Sequence, residues 1–427
     1  MSEQRSRERK AERFSVAGPD VRESPRLRMS SEGLEQGGTR PFWRPARPGL
    51  GAGARGSAVK HAKGWLSVGL VIGAIAVGVL LAEAGLRLFY PQQLGVWYQD
   101  REGLGLHWPG LVTRFPQSSF PVAFNSAGLR DREHAVAKPE GVFRVLVLGD
   151  SFMEALQVPF EESFPSVVEH ELSQETGRRV EVLNASVSGW GTDDELKYLT
   201  RYGMQWKPDL ILVVMTLHND ISDNLREQFH TIRNGVLVEQ PPPDETLLRY
   251  ELLQAKAYLS TESHAYRLLM RARRAREVRD TASQLHSHVV ALFRSPTDAQ
   301  ISRGLELTTR LLERMQALAE SERSRFVVVM LPLAVQLSDL RFAEFARSAP
   351  GSPGQLEIDR PQRLMSRVGD HLGVAVIDLL PGFRDWTVHG GRSLYLELDG
   401  HWNERGHRLA ADLVARELIA RNFIQGR

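Results

Sequence analysis

The chain has 427 residues, 54 Lys and Arg against 52 Asp and Glu, a net charge of +2, and no cysteine. Disulfides and thiol chemistry are therefore excluded, and the length suffices for one large α/β core beside a tail. Residues 1–63 carry fourteen basic and seven acidic side chains, +7, which leaves −5 on the remainder and argues against nucleic acid as a partner of that part.

Residues 1–63 also hold few apolar clusters, a composition that predicts a disordered basic tail whose charge meets anionic lipid. GWLSVGLVIGAIAVGVLLA follows, nineteen residues (64–82) without a charge. As a helix this run is about 28 Å long, close to the hydrocarbon thickness of a bilayer. It shows no polar stripe, Trp65 and Tyr90 suit the two interfaces, and it lies too far from Met1 for a cleaved signal peptide. The expectation is a single uncleaved transmembrane helix over residues 64–88. Arg44, Arg47, Arg55, Lys60 and Lys63 crowd its amino side, against Arg87 and Arg101 beyond it. That asymmetry predicts a cytoplasmic N-terminus and the residues after the helix outside, on the periplasmic side of the cell membrane.

From residue 143 the pattern changes to buried runs at 143–148, 180–185, 209–216, 326–333 and 374–380, separated by helical stretches. This alternation predicts an α/β fold with a parallel sheet. FRVLVLGDSF (143–152) stops at Gly149-Asp150-Ser151, where open α/β sheets place ligand chemistry. VEVLNASVSGWGT (180–192) presents backbone N–H groups around Gly189, and Thr192-Asp193-Asp194-Glu195 reads as a capping box opening a helix. DLILVVMTLHND (209–220) ends in Asn219, an uncharged donor at the same sheet edge.

After Pro241-Pro242-Pro243, residues 244–293 are rich in Leu, Ala and Arg and read as helical. Their basic stretch RARRAREVR (271–279) is read as a solvated helix face. The rival reading is a cap over the site, with arginines meeting phospholipid headgroups or an acidic glycan. Near the C-terminus DGHWNERGH (399–407) supplies Asp399 and His401, and a last helix over 403–419 turns Leu409, Leu413 and Leu418 to the sheet.

A serine where a buried strand stops, with a distant Asp and His, is what a Ser-His-Asp hydrolase needs. Ser151, Gly189 and Asn219 can aim donors at a developing oxyanion. Asp399, His401 and His407 match no usual zinc spacing, so neither metal nor cofactor is expected.

These blocks, in this order over residues 124–419, resemble the GDSL or SGNH hydrolase family. NASVSG (184–189) is particularly close to the second block of its bacterial lysophospholipase and thioesterase members. The resemblance implies a three-layer α/β/α sandwich with a parallel, flavodoxin-like sheet, preceded here by the single transmembrane helix. It makes Ser151 the nucleophile, His401 the general base oriented by Asp399, and Ser151, Gly189 and Asn219 the oxyanion hole. Residues 91–140 resemble the lead-in of larger bacterial members, and in FNSAGLRD (124–131) Asn125, Gly128 and Arg130 brace this lead-in against the sheet. The expected organisation is a tail (1–63), a membrane helix (64–88), a lead-in (91–140) and a hydrolase domain (141–427) with a helical insertion at 244–295.

Two departures bear on the site. His218 precedes Asn219 where the family frequently has glycine, and is read as a partly buried loop imidazole. Only Gly400 separates Asp399 from His401 where two residues are common. The DxHW spacing resembles SGNH-like proteins that acetylate exported polysaccharides. The expected function is a membrane-anchored serine esterase cleaving a carboxylic ester, on a lipid or an O-acylated glycan, outside the cytoplasm. Its rivals are an O-acyltransferase or deacetylase of a cell-envelope polysaccharide, and a non-catalytic binding module. The last has no need of all five site residues, and no motif speaks to oligomeric state.

Overall fold

A computed structural model describes residues 54–115, 118–241, 247–274, 287–349, 355–397 and 399–425. Most of the expected tail and residues 275–279 of the basic stretch lie outside them. The chain divides into two units, Met1–Gly69 and Leu70–Arg427. Helix α1 (Ala54–Phe89) contains a segment, Ser67–Phe89, that is long and apolar enough to cross a membrane.

The second unit then runs β1 (Phe143–Gly149), α2 (Phe164–Thr176), β2 (Val180–Ser186), α3 (Thr192–Arg201), β3 (Leu210–Met215), α4 (Leu247–Glu262) and α5 (His264–Arg274). It continues with α6 (Ala299–Ser321), β4 (Arg325–Met330), α7 (Arg360–Leu372), β5 (Ala375–Asp378) and α8 (Glu404–Ala420). The five strands form one parallel sheet in the order β5-β4-β3-β1-β2, the flavodoxin-like arrangement.

Every side chain of β1 is buried, because helices cover both faces of the sheet. Val145 and Val147 point into the layer formed by α2, α8 and the helix Leu380–Val388. Leu146 and Leu148 point the other way, against α3, α6 and α7. Each such side chain contributes about 1.5–3 kcal/mol of burial. This is the α/β/α sandwich with a flavodoxin-like parallel sheet that the SGNH resemblance implied.

Two strands end before their apolar runs do. β4 stops at Met330, and β5 has four residues because Leu380 already opens a helix, with Pro381 in its first turn. The capping box is displaced as well. Helix α3 starts at Thr192 behind Gly191, and Asp194 Oδ2 accepts the Gly191 N–H at 3.0 Å. With that reach taken by Asp194, Glu195 turns inward and is fully buried.

The lead-in forms two short antiparallel pairs, Trp97–Gln99 with Gly105–His107 and Val112–Arg114 with Pro121–Ala123. The Arg130 guanidinium donates to the carbonyls of Glu154, Ala155 and Val158, and Asp131 Oδ2 accepts the Asn184 N–H of β2 at 2.8 Å.

Candidate active site

β1 lies between β2 and β3, with Gly149 opposite Ser186 on one side and Val214 on the other. Blocks at sequence positions near 150, 189 and 219 therefore leave the sheet at one edge. A Cβ on Gly149 would lie 2.7 Å from Met153 Cγ and 3.3 Å from Val214 O, so the turn requires glycine. Asp150 caps a four-residue helical turn, Ser151–Glu154, and accepts the Phe152 N–H at 3.0 Å. Ser151 thereby occupies the first helical position, where its N–H has no helical acceptor.

His401 arrives from the other end of the chain with Nε2 2.7 Å from Ser151 Oγ, and its Nδ1 is in contact with Asp399 Oδ1. A proton on Nδ1 facing the carboxylate leaves Nε2 to accept the Ser151 hydroxyl. Gly400 between them sits at φ +79°, the left-handed region that favours glycine. The short spacing closes for that reason: the backbone folds back at Gly400 and returns Asp399 to the ring two residues on. Behind the ring Trp402 is fully buried and meets Phe152 edge-on at 5.3 Å, while His401 and Phe152 lie 4.8 Å apart. Asn403 caps α8 through the N–H groups of Arg405 and Gly406, fixing the end of this loop.

Gly189 has φ +85°. Its neighbours' amides are engaged: Val187 N–H with Gly149 O, Ser188 N–H with Glu154, Trp190 N–H with Val187 O and Gly191 N–H with Asp194. Among the described residues the Gly189 N–H has no acceptor. Asn219 Nδ2 donates to Asp150 Oδ2 at 3.2 Å, which leaves its second amide hydrogen for another acceptor.

Burial pushes the Asp150 carboxyl up, against the opposing pull of the Phe152, Asn219 and Thr216 donors. Burial, with the nearby His401, lowers His218 to about 4, so this half-buried imidazole is neutral. His407 is packed beneath Trp402 and accepts the Phe164 N–H at 3.3 Å.

Several participants carried no motif. Glu154, three residues past Ser151, is fully buried; its Oε1 lies 2.7 Å from His107 Nε2, and its Oε2 accepts both the N–H and the hydroxyl of Ser188. Burial by itself would raise Glu154, but His107 and Ser188 outweigh it and hold the carboxyl below its ordinary value. The one signal was an acid inside the apolar turn Phe152-Met153-Glu154-Ala155. Among the described residues the buried carboxyl oxygens of Glu195 and Asp220 have no hydrogen-bond partner; burial raises both well above their ordinary range, joined by Asp150 and Asp194 at Glu195 and by Glu195 and Asp150 at Asp220. A cavity of about 610 Å³ opens beside Gly189, lined among others by Tyr98, Ser188, Trp190, Leu253 and Ala257.

Residues 292–427 match the family model described as SGNH hydrolase-like domain, acetyltransferase AlgX. An arylesterase of Vibrio mimicus is 30% identical over 139 residues, 30% of this chain and 69% of the relative. The chain belongs to the SGNH/GDSL esterase family. It is a hydrolase acting on ester bonds. Solved structures similar to this SGNH esterase include an alpha/beta hydrolase from the metagenome of Lake Arreo, Spain, with 13% identity, 66% of this chain and 97% of that one covered, and a TM-score of 0.37. TesA is 15% identical, with 64% and 97% covered and a TM-score of 0.34. The acetyl xylan esterase AlAXEase is 12% identical, with 65% and 100% covered and a TM-score of 0.36.

Proposed function

We propose that this SGNH esterase cleaves a carboxylic ester outside the cytoplasm through Ser151, His401 and Asp399. The observation that carries the reading is the 2.7 Å approach of His401 Nε2 to Ser151 Oγ between residues 250 positions apart, with Asp399 on the opposite ring nitrogen. His401 takes the hydroxyl proton as Ser151 Oγ attacks the ester carbonyl, and Asp399 stabilises the imidazolium. The oxyanion meets the Ser151 and Gly189 N–H groups and the free Asn219 amide hydrogen. Collapse expels the alcohol, which takes the proton from His401. Water, deprotonated by the same ring, then releases the acid from acyl-Ser151. Turnover of a short-chain aryl ester, with an acyl adduct on Ser151 seen by mass spectrometry, tests this; an adduct on any other residue refutes it.

O-acyl transfer to, or deacetylation of, a cell-envelope polysaccharide is the second reading, favoured by two observations. The matching family model is described as an acetyltransferase domain, and the cavity beside Gly189 offers room for a hydroxyl acceptor. Release of acid measured with and without a polysaccharide acceptor separates the two.

The apolar length of Ser67–Phe89 and the basic residues before it support one transmembrane span with the N-terminus in the cytoplasm. A reporter fused after Arg427 should then be active only if it works outside the cytoplasm; cytoplasmic activity reverses the orientation.

A further inference from the structure

Helix α4 carries its apolar stripe on the wrong side for a globular core. Leu248, Leu252, Ala255 and Leu259 recur at spacings of four, three and four, the period of a single helix face. All four are exposed, at 70% for Leu248, 53% for Leu252 and 44% for Leu259, and Leu247 and Tyr258 beside them are exposed too. The opposite face is the one that packs: Leu253 and Ala257 wall the cavity beside Gly189, and Thr261 is buried. A stripe of this kind needs an occupant.

Hydrogen bonds hold this helix pair to the end of α1. Glu83 accepts the Ser263 hydroxyl and the N–H groups of His264 and Ala265, each at 2.9 Å, and so caps the start of α5. Arg87 donates to Glu262 O at 2.6 Å and pairs with Glu83 at 2.8 Å. Just beyond, Gln92 N–H donates to His264 Nδ1, Arg267 Nε to Gln93 O, and Gly95 N–H to Ser260 O. A Cβ on Gly95 would lie 2.4 Å from Ser260 Oγ, so the approach is too close for any other residue without a shift. The junction of α4 and α5 is thus pinned where the uncharged run of α1 meets its first charges. At the same level Leu88, Phe89 and Tyr90 are exposed, and α5 presents Arg271 and Arg273 to solvent.

We propose that α4 and α5 form an interfacial element that lies in the headgroup region of the bilayer entered by α1, with Leu248, Leu252 and Leu259 toward the acyl chains. The proposal rests on the reading of α1 as a membrane span. An amphipathic helix seated this way sinks about 5–10 Å into the headgroup boundary, and exposed arginines favour anionic lipid there. The inner face of α4 is a wall of the cavity, so the element sets that cavity's mouth against the membrane surface and admits an ester borne by a lipid or a surface glycan.

The absence of cysteine makes the test direct. Single cysteines at Leu252, Leu259, Leu80 and Val388 in the full chain are labelled with an environment-sensitive fluorophore in nanodiscs containing phosphatidylglycerol and brominated lipids. The expected result is a blue-shifted label at Leu252 and Leu259, quenched most by bromines just below the headgroups. Leu80 should be quenched most by deep bromines, and Val388 by none. If Leu80 is quenched and Leu252 and Leu259 behave like Val388, the anchor stands and the interfacial element is refuted. An unquenched Leu80 removes the span and the proposal with it. A shielded Leu252 label without bromine quenching, with energy transfer between copies, assigns the stripe to a second copy and overturns the proposal.

Discussion

Asn219 reaches back across the sheet edge to the residue before Ser151, the proposed nucleophile, Nδ2 to Asp150 Oδ2 at 3.2 Å. The same carboxylate caps the Ser151 turn through Phe152 N–H and accepts the Thr216 hydroxyl at 3.1 Å. One buried acid thus sets the position of the Ser151 turn and of the Asn219 amide, so errors in either are coupled.

In the proposed mechanism Asn219→Ala removes a donor whose partner charge exists only in the transition state. We expect kcat to fall by about 10²–10³ with KM little changed. A change confined to KM in steady-state kinetics on an aryl ester would make Asn219 a substrate-binding residue instead.

Ser151→Ala should lower kcat by roughly 10³–10⁶ while circular dichroism and thermal unfolding stay those of the parent. Near-parental turnover from that variant would end the nucleophile assignment.

Asp399→Asn keeps the shape of the loop but no longer selects the Nδ1–H tautomer of His401. The expected loss in kcat is on the order of 10³–10⁴. Gly400→Ala, strained at φ +79°, should lower kcat by misplacing the same pair. Normal turnover in both variants would show that another group orients the ring.

His107→Ala leaves the buried Glu154 carboxyl without its imidazole contact. Leaving a buried polar group short of a partner costs about 1–3 kcal/mol, more for a charged one. Urea unfolding measures this, and kcat should fall as well, because Glu154 holds the amide adjacent to Gly189.

Stability should decline with rising pH through Glu195. Its folded carboxyl is raised well above the ordinary 4.5 by burial, then by Asp150 and Asp194, and Asp220 also faces it. Below 4.5 both folded and unfolded chains keep the proton. As pH rises the unfolded chain releases it first, so stability is lost up to the folded value. Glu195→Gln should flatten the fall of Tm between pH 5 and 8, read by differential scanning fluorimetry; an unchanged slope would exclude Glu195 as its source.

The sequence by itself determined the five strands of the parallel sheet to within a few residues, the glycine turns and the order of the blocks. Apolar runs and the residues that end them are local properties of the chain: Gly149 and the run before it announce a buried strand and its turn. Five residues separated by up to 250 positions could be proposed for roles because they lie in four short blocks, each beside a legible element. The partners of those residues were decided only by the tertiary structure. The Asp150–Asn219 tether and the Glu154 contact with His107 join elements remote in sequence, and an isolated acid in a strand or turn does not name its neighbour. The α3 start moved by one residue because Asp194, not Glu195, lies within reach of the N-cap amide. Helix α4 shows the same division. Its periodicity states that Leu248, Leu252, Ala255 and Leu259 share a face, but whether that face meets the core or the outside depends on where Gly95 holds α4 and Glu83 and Gln93 hold the adjoining α5, and those contacts exist only in the folded chain.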